Sequence, residues 1–120
     1  MALTNYYTVL QQQSDEPGQW HFTIRLNPDC EVYKGHFPDQ PVAPGVCQLL
    51  VVKECAEKAL GKPLRITRIK QCKFVRIIIP TEVNTLEVLL SIGEDYGLVA
   101  EVRDAENSYV KIKAQLEQIQ

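Results

Sequence analysis

Tyr33-Lys34-Gly35-His36-Phe37-Pro38-Asp39-Gln40-Pro41-Val42-Ala43-Pro44-Gly45-Val46 decides how the rest of this chain is read. It holds one of the two histidines and three of the seven prolines. Each proline fixes its own φ and biases the preceding residue toward extended backbone. Residues His36 to Gly45 therefore form a stiff, extended strap rather than a helix or a ladder strand. Such a strap can hold one imidazole in place without an ordering cost at the moment of reaction.

An apolar run follows the strap, and a helix is predicted from Gly45 to about Leu60. Val46, Cys47, Leu49, Leu50 and Val51 make its first half apolar nearly all round, which predicts burial on every side. The second half is amphipathic, with Lys53, Glu54, Glu57 and Lys58 on a polar face. Gly61 and Pro63 close it in the usual order. The start is unusual, because no Ser, Thr, Asp or Asn stands beside Pro44 and Gly45 to cap it. The first amide N–H groups then lack a local acceptor, and Gly45 has no side chain to hold a ligand off. Water or a distant group could satisfy those amides; alternatively they receive a ligand oxygen at the positive helix end.

The remainder reads as β. Tyr6–Leu10 is rich in strand formers, Gln11–Gln19 is a polar link with a turn at Asp15-Glu16-Pro17-Gly18, and Trp20–Leu26 alternates as a second strand. In that strand His21 points away from Trp20 and Phe22, as a surface or cross-strand residue. After the helix, strands are predicted over Leu64–Phe74, Thr85–Ser91, Leu98–Asp104 and Tyr109–Gln118, with a short link leading to Arg76-Ile77-Ile78-Ile79 and a turn at Pro80-Thr81-Glu82. Two strands, a strap, one buried helix and about four antiparallel strands make an α+β chain whose sheet must curve around the helix.

The totals set bounds. The 120 residues suit one domain, 1–120, and 45% hydrophobic content argues against disorder. No run reaches the roughly 18 apolar residues of a membrane span. Met1-Ala2-Leu3-Thr4-Asn5 has no basic region leading into an apolar core, so no signal peptide and a cytoplasmic location are expected. Cys30, Cys47, Cys55 and Cys72 form no C-x-x-C pair, and no histidine stands at zinc-ligand spacing; free thiols, no metal and no cofactor are expected. The net charge of −2 is unevenly spread. Lys53 to Arg76 holds eight basic residues against two acids, a balance of +6, and the rest of the chain carries −8. That segment is either an ordinary solvated face or a landing surface for an acidic partner. Nucleic acid fits poorly, because the chain is acidic overall and no stacking aromatics accompany the basic residues.

Gly35-His36-Phe37-Pro38, Pro41-Val42 and Pro44-Gly45-Val46 together resemble the active-site segment of the hot-dog 3-hydroxyacyl-acyl-carrier-protein dehydratases. Lys73 to Glu82 is similar to that family's strand running into a Pro-acid turn. The resemblance covers roughly residues 30 to 118. It implies a hot-dog fold, one long central helix wrapped by a curved antiparallel sheet, a homodimer, and thioester substrates carried on phosphopantetheine of acyl carrier protein or on coenzyme A. Under it His36 is the catalytic histidine and the Gly45 N–H contacts the thioester carbonyl, with Val46, Phe37 and Leu50 lining the substrate. Two positions depart from the pattern. Asp39 stands where the family has glycine, and Leu50, fourteen positions after His36, stands where the family carries a catalytic Glu or Asp.

Dehydration of a 3-hydroxyacyl thioester removes a proton beside the carbonyl and expels the hydroxyl as water. Histidine suits the first task, and the Gly45 amide can polarise the carbonyl. Leu50 cannot protonate the leaving oxygen. Glu54, one turn further on the same face, about 6 Å along the axis, is a candidate acid. Gln48 could orient a water, or His36 could carry the proton from carbon to oxygen itself. Three functions follow: a dehydratase-like enzyme, an acyl-thioester binding module without catalysis, or a thioesterase using Glu54 or Asp39.

Overall fold

The computed structural model describes residues 3–33 and 42–119. Its elements are β1 (Tyr7–Gln13), β2 (Gln19–Leu26), a short 3₁₀ turn (Glu31–Tyr33), α1 (Gly45–Leu60), β3 (Leu64–Phe74), β4 (Thr85–Ile92), β5 (Gly97–Arg103) and β6 (Ser108–Gln118). The strands form one antiparallel sheet in the order β1-β2-β4-β5-β6-β3. With α1 packed on one face, this is the hot-dog architecture that the resemblance implies.

Period-two alternation decides which face meets the helix. Phe22, Ile24 and Leu26 of β2, Leu86, Val88 and Leu90 of β4, Leu98, Ala100 and Val102 of β5, and Val110, Ile112 and Ala114 of β6 are all buried. From the helix, Cys47, Gln48, Val51, Val52, Cys55 and Ala56 meet them. The four cysteines are unpaired, three of them buried. Burial pushes the Cys55 thiol up to about 12, so it packs as a small apolar side chain rather than a nucleophile.

Three expectations are corrected. The polar stretch after Leu10 is not a link: β1 runs on to Gln13, and Gln12 and Gln13 pair with Phe22 and His21 in the ladder. Ladder hydrogen bonds need no particular side chain, so glutamines serve as well as valines. A register shift between Val9 and Gln11 throws Leu10 outward. Ile77 to Ile79 is not a strand. It is an irregular segment that buries Ile78 and turns at Ile79, whose carbonyl accepts from the N–H groups of Glu82 and Val83 at 2.9 Å each. Finally, the first half of α1 is not buried on every side. The sheet covers one side, while Val46 remains 58% exposed and Leu49 and Leu50 are half-buried.

The later strand bounds and the place of His21 agree with expectation. The strands after the helix fall within one residue of expectation at each end. His21 lies cross-strand to Leu89 with its Nε2 2.7 Å from Glu87 Oε1. Among the described residues no helix is long and apolar enough to cross a membrane, and no group of three or more His, Cys, Asp or Glu could hold a metal ion.

Candidate active site

The helix start has no side-chain cap. Pro44 takes the cap position with φ −65° and ψ 144° and offers no side-chain hydrogen bond. Its carbonyl accepts from Cys47 N at 3.1 Å and Gln48 N at 3.3 Å. The N–H groups of Gly45 and Val46 find no acceptor among the described residues. Two donors at the positive end of a sixteen-residue helix thus stay without an acceptor among the described residues.

Around these amides lies an apolar rim. A methyl group built on Gly45 would meet Phe74 Cζ at 2.9 Å, so the ring occupies the space a side chain at 45 would need. Phe74 itself is 51% exposed and Ile77 66%, and Val75 is exposed beside them. Together with Val46 they make a solvent-exposed apolar surface near the helix end.

Both ends of the strap are anchored. At its start Tyr33 is buried, its ring centroid 5.9 Å from that of Tyr6. Burial first, then the facing hydroxyl, pushes the Tyr6 hydroxyl far above the usual tyrosine range, and burial raises Tyr33 as well. At its end Ala43 is buried and held from two sides. Its N–H donates to Ile78 O at 2.8 Å, and its carbonyl accepts from Gln48 Nε2 at 3.2 Å. Gln48 is only 6% exposed, and its Oε1 has no partner among the described residues. A cavity of about 10 Å³ lies between Gln48, Ala43, Ile78 and the sheet. His36, Phe37 and Asp39, between these anchors, lie outside the described residues.

The remaining candidates separate. Leu50 lies one helical turn after Val46 on the side of α1 turned away from the core. Glu54, one turn further, is engaged: its Oε2 accepts from Leu3 N at 3.1 Å and its Oε1 from Tyr7 O–H at 2.8 Å. Burial, then this hydrogen bond, raises the Tyr7 hydroxyl above its ordinary range. Glu54 thereby ties the residues before β1 to the helix. Sequence reasoning missed Phe74 beside Gly45 and Ile78 beneath Ala43. Each is more than 25 positions from its neighbour, and no spacing signal reaches that far.

The two curated relatives are dehydratases named 3-hydroxyacyl-[acyl-carrier-protein] dehydratase FabZ, from Thermoanaerobacter sp. and Thermoanaerobacter pseudethanolicus. Each is 34% identical over 65 residues, spanning 48% of this chain and 46% of the relative, so the match covers less than half the length of either. Among solved structures, the dehydratase heterocomplex ApeI:P from Xenorhabdus doucetiae superposes with a TM-score of 0.79 at 24% identity, covering 91% of this chain and 96% of that one. An uncharacterized protein from Erwinia carotovora subsp. atroseptica follows with a TM-score of 0.73 at 24% identity, covering 94% and 97%. Both likenesses show the fold. The family model of the ApeI-like proteins, described as ApeI dehydratase, matches residues 11–113, and the chain belongs to that dehydratase family.

Proposed function

We propose that this protein eliminates water from a 3-hydroxyacyl thioester to give a 2-enoyl thioester. The observation that carries the reading is the pair of amides at Gly45 and Val46 with no acceptor among the described residues, Gly45 standing nine positions after His36 in the sequence. In the proposed step the thioester carbonyl oxygen accepts from the Gly45 N–H. His36 takes the proton from the carbon beside the carbonyl, and negative charge builds on the oxygen facing the helix end. As the double bond forms, the carbon–oxygen bond at the 3-position breaks. The imidazolium returns its proton to the departing hydroxyl, which leaves as water. Placing both transfers on His36 follows from Leu50, which cannot donate, and from Glu54, whose oxygens are held by Leu3 and Tyr7.

The names of the FabZ relatives support a substrate carried on acyl carrier protein. The basic residues beyond the helix end are the proposed landing surface for so acidic a partner. Arg68 is exposed there, Arg65 bridges to Glu117 Oε1 at 2.9 Å, and Lys62 donates to Tyr96 Oη at 3.0 Å. The homodimer is proposed to form along β3. Among the described residues that strand pairs with β6 alone, and Ile69 and Phe74 are exposed on the face that α1 covers further in.

The experiment is a spectroscopic assay with 3-hydroxyacyl and 2-enoyl thioesters on carrier protein and on coenzyme A. Turnover is expected, and His36→Ala is expected to lower it by about 10²–10⁴-fold. Turnover that His36→Ala leaves unchanged refutes the assignment. Leu50 favours a second reading, an acyl-thioester binding module whose ligands raise the melting temperature without turnover. The heterocomplex formed by ApeI:P suggests how the two readings join: a different hot-dog chain would bring the carboxylate that Leu50 lacks. Thioester hydrolysis loses support, because Glu54 is occupied.

A further inference from the structure

The face of the sheet turned away from α1 carries a groove of about 690 Å³ running across the strands from the β1–β2 turn to β3. Its two ends have opposite charge. Asp15 and Glu16 stand exposed at the β1–β2 turn, and Lys73, Lys111 and Lys113 stand exposed at the other end. Between them lie Leu89, half-buried, and Val99, 51% exposed.

The lysines are placed at a cost. Lys73 lies directly opposite Lys111 in the β3–β6 ladder, and like charges in that position repel. None of the three forms an ion pair among the described residues, nor do Asp15 and Glu16. Glu101, opposite Lys111 on the other side, also stays beyond ion-pair distance. The two ends cannot neutralise each other within one chain. From β2 to β3 the row crosses four strand spacings, roughly 19 Å, about twice the screening length in physiological salt.

A second copy solves both problems at once. A two-fold axis along the strands, between β4 and β5, exchanges β2 with β6 and β4 with β5, so each copy's acidic turn comes nearest the other's Lys113, which shares a row with Gln19, Ser91 and Val99, while Leu89 and Val99 lie diagonally, two residues apart, at the centre. This is the self-complementary pattern of an isologous interface. We propose that the outer sheet face is a self-association surface whose occupant is a second copy of this chain. It leaves the unpaired backbone edge of β3 and the helix end uncovered, and does not depend on the catalytic reading.

The test uses the full chain and light scattering over a concentration series. Two variants are made: Asp15→Lys with Glu16→Lys, and Lys111→Glu with Lys113→Glu. Each alone is expected to show half the mass of the wild type, and a 1:1 mixture is expected to regain the wild-type mass, because one copy then offers a basic face and the other an acidic one. Should the lysine variant fail to fold, the wild type in about 0.5 M salt, where screening shortens to a few ångströms, is expected to halve in mass, and Val99→Arg to halve it at any salt. Wild-type mass in either charge variant or in Val99→Arg overturns the proposal. So does a mixture that fails to regain mass, or a wild type whose lysines engage only an added acidic carrier protein.

Discussion

The two ends of α1 are built on opposite plans. The C-terminal end is closed by its own chain. Gly61 takes φ 68°, its N–H and that of Lys62 donate to Glu57 O at 2.8 and 3.3 Å, and the Glu57 side chain accepts from Leu64 N at 2.9 Å while lying 3.6 Å from Lys53 Nζ. The N-terminal end has a proline for a cap, a glycine behind it, and two amides with no acceptor among the described residues. A chain that caps one end so fully can cap a helix. Leaving the other end bare is a choice of residues, and it costs stability that a capping Ser or Asp would have supplied, about 1 kcal/mol.

If the contrast is functional, substitutions at the bare end change turnover and substitutions at the closed end change stability. The largest effect is expected from Gly45→Ala. The added methyl displaces the Phe74 ring and the bound carbonyl, and turnover is expected to drop about 10²-fold, with the melting temperature nearly unchanged. Equal losses in both would break the comparison. Glu57→Ala comes next. It strips Leu64 N of its charged acceptor and Lys53 of its partner, and chemical denaturation is expected to show a loss of about 2 kcal/mol at unchanged turnover per folded molecule. Gly61→Ala is smaller. A methyl group there meets nothing within 4 Å, so only the left-handed backbone resists it, at about 1 kcal/mol. The smallest effect on rate is expected from Glu54→Gln. It keeps an oxygen for Tyr7, so turnover stays within about twofold; a drop of two orders would return Glu54 to the list of catalytic groups.

The same contrast explains what the sequence could disclose. Both helix ends were legible because their signals are local: Pro44-Gly45 without a capping side chain, then Gly61 and Pro63. The positions of the strands after the helix were legible from alternation. The extension of β1 through Gln13 was not, since its ladder is backbone pairing that glutamine neither favours nor forbids. Nor was the irregular path of Ile77 to Ile79, where three isoleucines imitate a strand but Ile78 alone turns inward to support Ala43. At the site, the amide donors could be read from composition. The wall that Phe74 builds beside them could not, because proximity between residues 45 and 74 is a product of the finished fold.

That contact has an evolutionary consequence. Position 45 and position 74 share one volume, filled today by an aromatic ring and no side chain at all. A lineage that enlarges one must shrink the other or forfeit access to the helix end, so the pair is expected to drift together rather than singly. The width of the entrance is in this sense inherited as a single trait, written in two places of the chain.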